Sequence, residues 1–301
     1  MFVQKIKTLF MLSAGALLLL AGCGTETKTE YVQTSTPAST YLVEYIPGTT
    51  MSGTMSDATT GKTTFKLRVR NRSTFAAASG LTMTVYPLMH MSTMSHSAPA
   101  DVVTESSTPG TYDCAMYYLM ASGTGSKGGY WELQVKIGSE TATFYPSVGM
   151  AMGTDTLRAT LYGSDDVVST MTGTPQYNKY YLFNDGPVSA ATPTFSLFIS
   201  HSEDMIMSFK PAYVGAAMSS PTGLVTSMTV TASQDAAFTS PLSAVHSGNG
   251  HWTVSGLTGL VSSQTTTIYV KMDLNGQDKT TDGMVSSPTS TNYATFIVTP
   301  Q

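Results

Sequence analysis

The chain has 301 residues and a formal charge of −4; only 11% of its side chains are charged, and 48 Thr and 36 Ser take their place. With Lys and Arg totalling 15, it is not a nucleic-acid binder, and the composition excludes collagen-like, coiled-coil and multi-span membrane classes. Hydrophobic residues at 41% suffice for a packed core, and a Thr- and Tyr-rich, Lys- and Glu-poor sequence favours strands, so the expectation is an all-β exported protein.

Lys5 and Lys7 precede an apolar run from Leu9 to Leu20. At about 12 residues this run is too short to span a bilayer and fits the apolar region of a signal peptide. It ends in Leu20-Ala21-Gly22-Cys23, which resembles the bacterial lipobox. The resemblance implies that residues 1–22 are removed and that Cys23 carries the lipid, a membrane anchor holding through more than one acyl chain. The mature charge is then −4 − 2 = −6, because two lysines leave with the signal. Gly24 stands where inner-membrane retention favours Asp, so the predicted location is the cell envelope at the outer membrane. Cys114 is left as the other cysteine of the chain. No intramolecular disulfide is expected, and in an oxidising compartment the thiol is either buried or a metal ligand.

Residues 23–40 are polar without apolar periodicity and read as a tether. Strict alternation follows. Phe65, Leu67 and Val69 face away from Lys66, Arg68 and Arg70; Leu81, Met83 and Val85 alternate with threonines. Tyr112, Cys114, Met116, Tyr118 and Met120 share one face, as do Trp131, Leu133, Val135 and Ile137. Further on, Phe195, Leu197 and Ile199 alternate, then Met205, Met207 and Phe209, then Leu224 to Val230, then Ile268 to Leu274, and finally Phe296 and Val298. One-face-buried strands separated by turn signals predict two immunoglobulin-like antiparallel β-sandwiches, 41–165 and 175–301, divided in the polar stretch 163–176. A weak internal likeness, Gly128-Gly129-Tyr130-Trp131 against Gly248-Asn249-Gly250-His251-Trp252, makes the second a degenerate duplicate of the first.

The chemically unusual segment is Met89-His90-Met91-Ser92-Thr93-Met94-Ser95-His96. Thioethers and imidazoles are the donors that suit copper, and thioether sulfur favours Cu(I). Met89, His90, Met91, Met94 and His96 are therefore the candidate metal ligands, with His90, His96 and two of the methionines expected to hold one ion. Met is also a filler of irregular cores and a target of oxidants. His201, His246 and His251 read as ordinary turn or surface histidines.

Tyr86-Pro87-Leu88-Met89-His90-Met91 with His96, Pro109-Gly110-Thr111-Tyr112 and Trp131-Glu132-Leu133-Gln134-Val135 together resemble the YtkA-like and FixH-like domains over residues 60–138. These are immunoglobulin-like modules of the bacterial envelope, several of them associated with copper handling. The resemblance implies copper as ligand and an envelope protein as partner. Tyr86 departs from the family, which usually has Met there. The alternative is a structural or adhesive immunoglobulin-like lipoprotein that binds protein or glycan without metal.

Other motifs carry less. Gly123-Thr124-Gly125-Ser126-Lys127-Gly128 lies between strands rather than before a helix and reads as a hairpin loop, not a dinucleotide site. Asp273-Leu274-Asn275-Gly276-Gln277-Asp278 reads as a turn rather than a calcium loop. Asp165-Asp166 and Glu203-Asp204 read as solvated pairs. The sequence has neither a GxSxG elbow nor an HExxH zinc helix, and the expectation is a protein that is not an enzyme.

Overall fold

The computed structural model describes residues 31–32, 40–50, 57–123, 129–169, 176–202, 208–218, 222–283 and 290–301. Cys23, the signal segment, the loop 124–128, and Met205, Met207, Glu203 and Asp204 lie outside them. The described chain is all-β and builds two sandwich-like halves, as alternation predicts.

The first half holds β1 (Tyr31–Val32), β2 (Tyr41–Thr50), β3 (Ala58–Thr59), β4 (Gly61–Asn71), β5 (Met83–His90), β6 (Ser95–Ser97), β7 (Thr104–Glu105), β8 (Thr111–Tyr118), β9 (Tyr130–Ile137), β10 (Glu140–Phe144) and β11 (Val148–Gly149). One sheet runs β1-β2-β4-β8-β7 and faces another, β10-β9-β5-β6; β3 and β11 add a short parallel pair. Between the sheets lie Val43, Tyr45, Phe65, Leu67 and Val69 from one side and Met83, Val85, Met89, Trp131, Leu133 and Val135 from the other. The period-2 pattern is thus two inner faces closing on one apolar layer. Cys114 is buried in that layer as a free thiol, and burial pushes its ionisation up.

The second half holds β12 (Arg158–Ser169), β13 (Gln176–Asn184), β14 (Thr194–Ser202), β15 (Phe209–Pro211), β16 (Met228–Ser233), β17 (Leu242–Gly248), β18 (His251–Ser255), β19 (Thr266–Leu274), β20 (Gln277–Asp278) and β21 (Ala294–Val298). Its strands form one continuous path, β12-β13-β14-β18-β17-β16-β19-β20, with β15 on β14 and β21 on β19. The path bends round its own core, because Tyr162 of β12 and Thr280 just after β20 exchange backbone hydrogen bonds in both directions, at 2.6 and 2.9 Å. Asn275 and Gly276 take φ of +54° and +79° in the two-residue turn between β19 and β20. Both positive values match the favoured twist of an Asn-Gly hairpin, so this segment is a turn.

Two expected boundaries shift. Tyr31–Val32, inside the predicted tether, pair with Tyr45 and Glu44 of β2. The described residues of the stretch 163–176 are strand: β12 runs to Ser169 and pairs antiparallel with β13, Val167 with Tyr177 and Ser169 with Gln176. The halves divide instead between β11 and β12, where Met150 and Met152 are exposed.

The halves meet at a polar and aromatic junction. Tyr117 of β8 stacks on Phe198 of β14 at 4.1 Å and donates its hydroxyl to Asp185 Oδ1 at 2.5 Å. Lys62 Nζ lies 2.8 Å from the same oxygen. His251 bridges Asp185 and Asp101, at 2.9 and 3.0 Å. These hydrogen bonds, to Asp101 first and then Asp185, push the His251 imidazole up to about 9. Burial works to raise the Asp185 carboxyl; His251 and Lys62 outweigh it and hold it below the ordinary aspartate range. His251 and His201 are therefore not turn or surface histidines: one ties the halves together and the other is fully buried.

Candidate metal centre

The Met/His segment is mostly strand. β5 continues through His90 and returns as β6, pairing Leu88 with Ser97, Met89 with His96 and His90 with Ser95. Only residues 91–94 remain as a loop, closed by Met91 N–H donating to Met94 O at 2.9 Å. Alternation then sorts the five donors. Met89 and His96 are cross-strand partners and both are buried. Met91 packs partly against the core, and Met94 at the tip is 61% exposed.

His90 faces the other way. Its Nε2 lies 2.8 Å from Glu132 Oε2, and its ring stacks on Tyr130 at 4.8 Å. The expected pairing of His90 with His96 around one ion is therefore not what the hairpin builds. An odd sequence step from the Met89 position puts His90 on the outer sheet face.

The structure supplies another donor in its place. His96 Nε2 lies 3.1 Å from Met120 Sδ. On the other side of the ring, Nδ1 is 2.8 Å from Ser97 O. A carbonyl only accepts, so Nδ1 carries the proton and donates; in the neutral ring Nε2 is then a bare lone pair. That lone pair points at a thioether, which has no proton to offer. Two acceptors in contact, with the imidazole oriented by a carbonyl behind it, form the arrangement a bound soft cation resolves.

Trp131 organises the site. Its ring meets His96 edge-on at 5.5 Å, and its Nε1–H donates to Met120 O at 3.0 Å, fixing the backbone that carries the sulfur. Trp131 is also the β9 partner of Met89. Gly129 completes the packing: a Cβ there would stand 2.8 Å from Met89 Cε and 3.2 Å from Met89 Sδ. His96 is 6% exposed and Met120 39%, so the pair is buried on the imidazole side and reachable on the sulfur side.

The residues fit a soft ion: His96 Nε2 and Met120 Sδ as paired donors, with Met89 the cross-strand partner of His96. Among the described residues, no three of His, Cys, Asp or Glu gather as a site for a harder metal. In the sequence Met120 is one of six further methionines that could supply a sulfur, with Met51, Met55, Met116, Met150 and Met152, and nothing local singles it out. The contact spans 24 residues and crosses from the end of β8 to β6, so no local spacing signals it.

A scan of protein-family models finds none that matches this chain, and a search of curated proteins finds no match.

Proposed function

We propose that the chain is a lipid-anchored protein of the cell envelope that binds Cu(I) at His96 and Met120, with Met89 supporting, and passes it to an envelope partner. The observation that carries this reading is the 3.1 Å approach of His96 Nε2, the ring nitrogen opposite the one that Ser97 O holds, to a thioether sulfur. The lipobox-like Leu20–Cys23 and the YtkA-like and FixH-like resemblance support the location and the cargo. The exposed side of Met120 gives an ion a route out by ligand exchange, and Met94 at the hairpin tip adds a sulfur near the surface.

The test is a competition titration of residues 24–301 against a chromogenic Cu(I) chelator. One equivalent of tight binding is expected, lost in His96→Gln and in Met120→Leu and kept in His90→Gln. Equal affinity in all four proteins would overturn the reading.

A second reading has its own observation. On the outer face of the β5–β9–β10 sheet, Tyr130 and Tyr145 are exposed with ring centroids 5.9 Å apart. His90 stacks on Tyr130 while bonding Glu132, which also accepts from Gln134 at 2.8 Å. Exposed rings beside a carboxylate and an amide suit a sugar or peptide ligand. Metal-independent adhesion lost in Tyr130→Ala/Tyr145→Ala, and retained in Met120→Leu, would favour it.

A further inference from the structure

The pair Asp165-Asp166 reads from sequence as solvated, yet Asp166 is buried and paired with a fully buried lysine. Lys279 Nζ lies 3.3 Å from Asp166 Oδ2, with side chains 0% and 3% exposed. Both residues sit where the two ends of the second sandwich's strand path meet: Lys279 follows β20 and precedes Thr280, and Asp166 lies in β12 beyond Tyr162.

The local backbone is built for this placement. The β12–β13 register shifts between Tyr162 and Val167, a bulge that brings Asp166 inward. Gly163 makes room for it, since a Cβ there would stand 2.2 Å from Asp166 Oδ2.

The two carboxyl oxygens are treated differently. Tyr180 donates its hydroxyl to Oδ2 at 2.5 Å, and Thr222 donates to Oδ1 at 2.7 Å. Lys279 Nζ approaches the oxygen that Tyr180 holds and lies 5.5 Å from the centre of the Tyr180 ring. An amine and a proton donor therefore converge on one oxygen, while a second donor holds the other. Amide formation needs these parts in a water-poor site: a nucleophile at contact distance, a protonated leaving oxygen and a stabilised carbonyl oxygen.

We propose that Lys279 and Asp166 join in an intramolecular isopeptide bond that closes the second sandwich covalently. The step starts from the neutral form of the pair, one proton having passed from Nζ to Oδ2. The Nζ lone pair attacks Cγ, the C–N bond forms, and Oδ1 takes the charge under the Thr222 hydroxyl. Nζ then gives up a second proton, which reaches Oδ2 through the Tyr180 hydroxyl. The Cγ–Oδ2 bond breaks and water leaves. An ammonium and a carboxylate become an amide and one water; nothing is oxidised or reduced.

The test is peptide mapping of the full-length protein, digested with trypsin after denaturation. Asp166 falls in the peptide between Arg158 and Lys179, and Lys279 follows Lys271. The expected product is one branched species, uncut at Lys279, lighter than its two segments by one water, about 18 Da. Asp166→Ala is expected to return the two segments separately, which shows that both are detectable. Recovery of separate, unmodified segments from the wild-type protein would overturn the proposal, and a branched species carrying the junction in its fragment spectrum would establish it.

Discussion

The two tryptophans of the chain sit in closely similar surroundings, and the difference between them marks the candidate site. Trp131 donates its indole N–H to the carbonyl of Met120 and meets His96 edge-on; Trp252 donates to the carbonyl of Ala212 at 3.5 Å and packs on His246 at 4.8 Å. In the first half the residue whose carbonyl is held carries a sulfur aimed at the imidazole. In the second it carries a methyl group. His246 Nε2 is occupied instead, accepting the Gly250 N–H at 3.3 Å, and its ring is stacked on Tyr213. A Trp–His pair over a held carbonyl is therefore a packing device that serves both halves. Donor chemistry is added to it only where a methionine replaces an alanine.

The largest effect expected from this comparison is on affinity. His96→Gln should weaken Cu(I) binding by at least about 100-fold, as loss of a first ligand exceeds the loss seen for an outer-shell partner; His246→Gln, measured in the same chelator competition, should leave it unchanged. Next comes stability at Met89. This residue is 1% exposed and part of the core, so Met89→Ala should cost about 2–5 kcal/mol in denaturant unfolding of the apoprotein. Met89→Leu, close in volume, should cost under about 1.5 kcal/mol. Equal costs for the two would show that Met89 is not packed as described.

The junction between the halves gives a smaller, pH-dependent term. His251 is raised in the folded state, so its contribution is fully present below its ordinary value of 6.5 and is lost as pH rises through about 9. Asp185 is lowered, so its contribution is present above the ordinary aspartate range and is lost as pH falls through its folded value. Unfolding free energy should fall by about 1–2 kcal/mol between pH 6.5 and 9, allowing for solvent around His251, and His251→Gln should flatten that slope. The smallest effect is spectroscopic. Ag(I), a redox-inert soft cation, should quench fluorescence of the wild-type protein and of Trp252→Phe, but not of Trp131→Phe.

Fold class was legible because β4, β9 and β19 each bury one face, and alternation of Phe65, Leu67 and Val69 or Ile268, Val270 and Met272 has no other reading. β13 was hidden by the opposite circumstance. Tyr180 and Leu182 enter the core of the second half while Tyr181 and Phe183 pack in the junction cluster with Tyr117 and Phe198, so both faces are buried and the alternation disappears. β2 was hidden by Pro47-Gly48, which looks like a turn and is an irregular step in register against β4. Gly48 is required there, since a Cβ would stand 1.9 Å from Thr64 O.

The candidate site was legible only in part. Composition and spacing drew attention to residues 89–96; the separation of Met89 and His90 onto opposite faces follows from their places in β5. What joins His96 to Met120, or Lys279 to Asp166, is the pairing of strands far apart in sequence, which local pattern does not encode. Asp166 is the sharper case. Ser164 and Asp165 before it are polar, and the bulge over Gly163 turns it inward.

The union of Tyr162 with Thr280 has a consequence for how the chain meets copies of itself. An open sheet invites a neighbour's strand, and each addition exposes a fresh template for the next. The second half has joined the two ends of its strand path, so at that junction its own chain occupies the place an incoming strand would take. In the first half, by contrast, the sheets end in β1 and β7 and in β10 and β6.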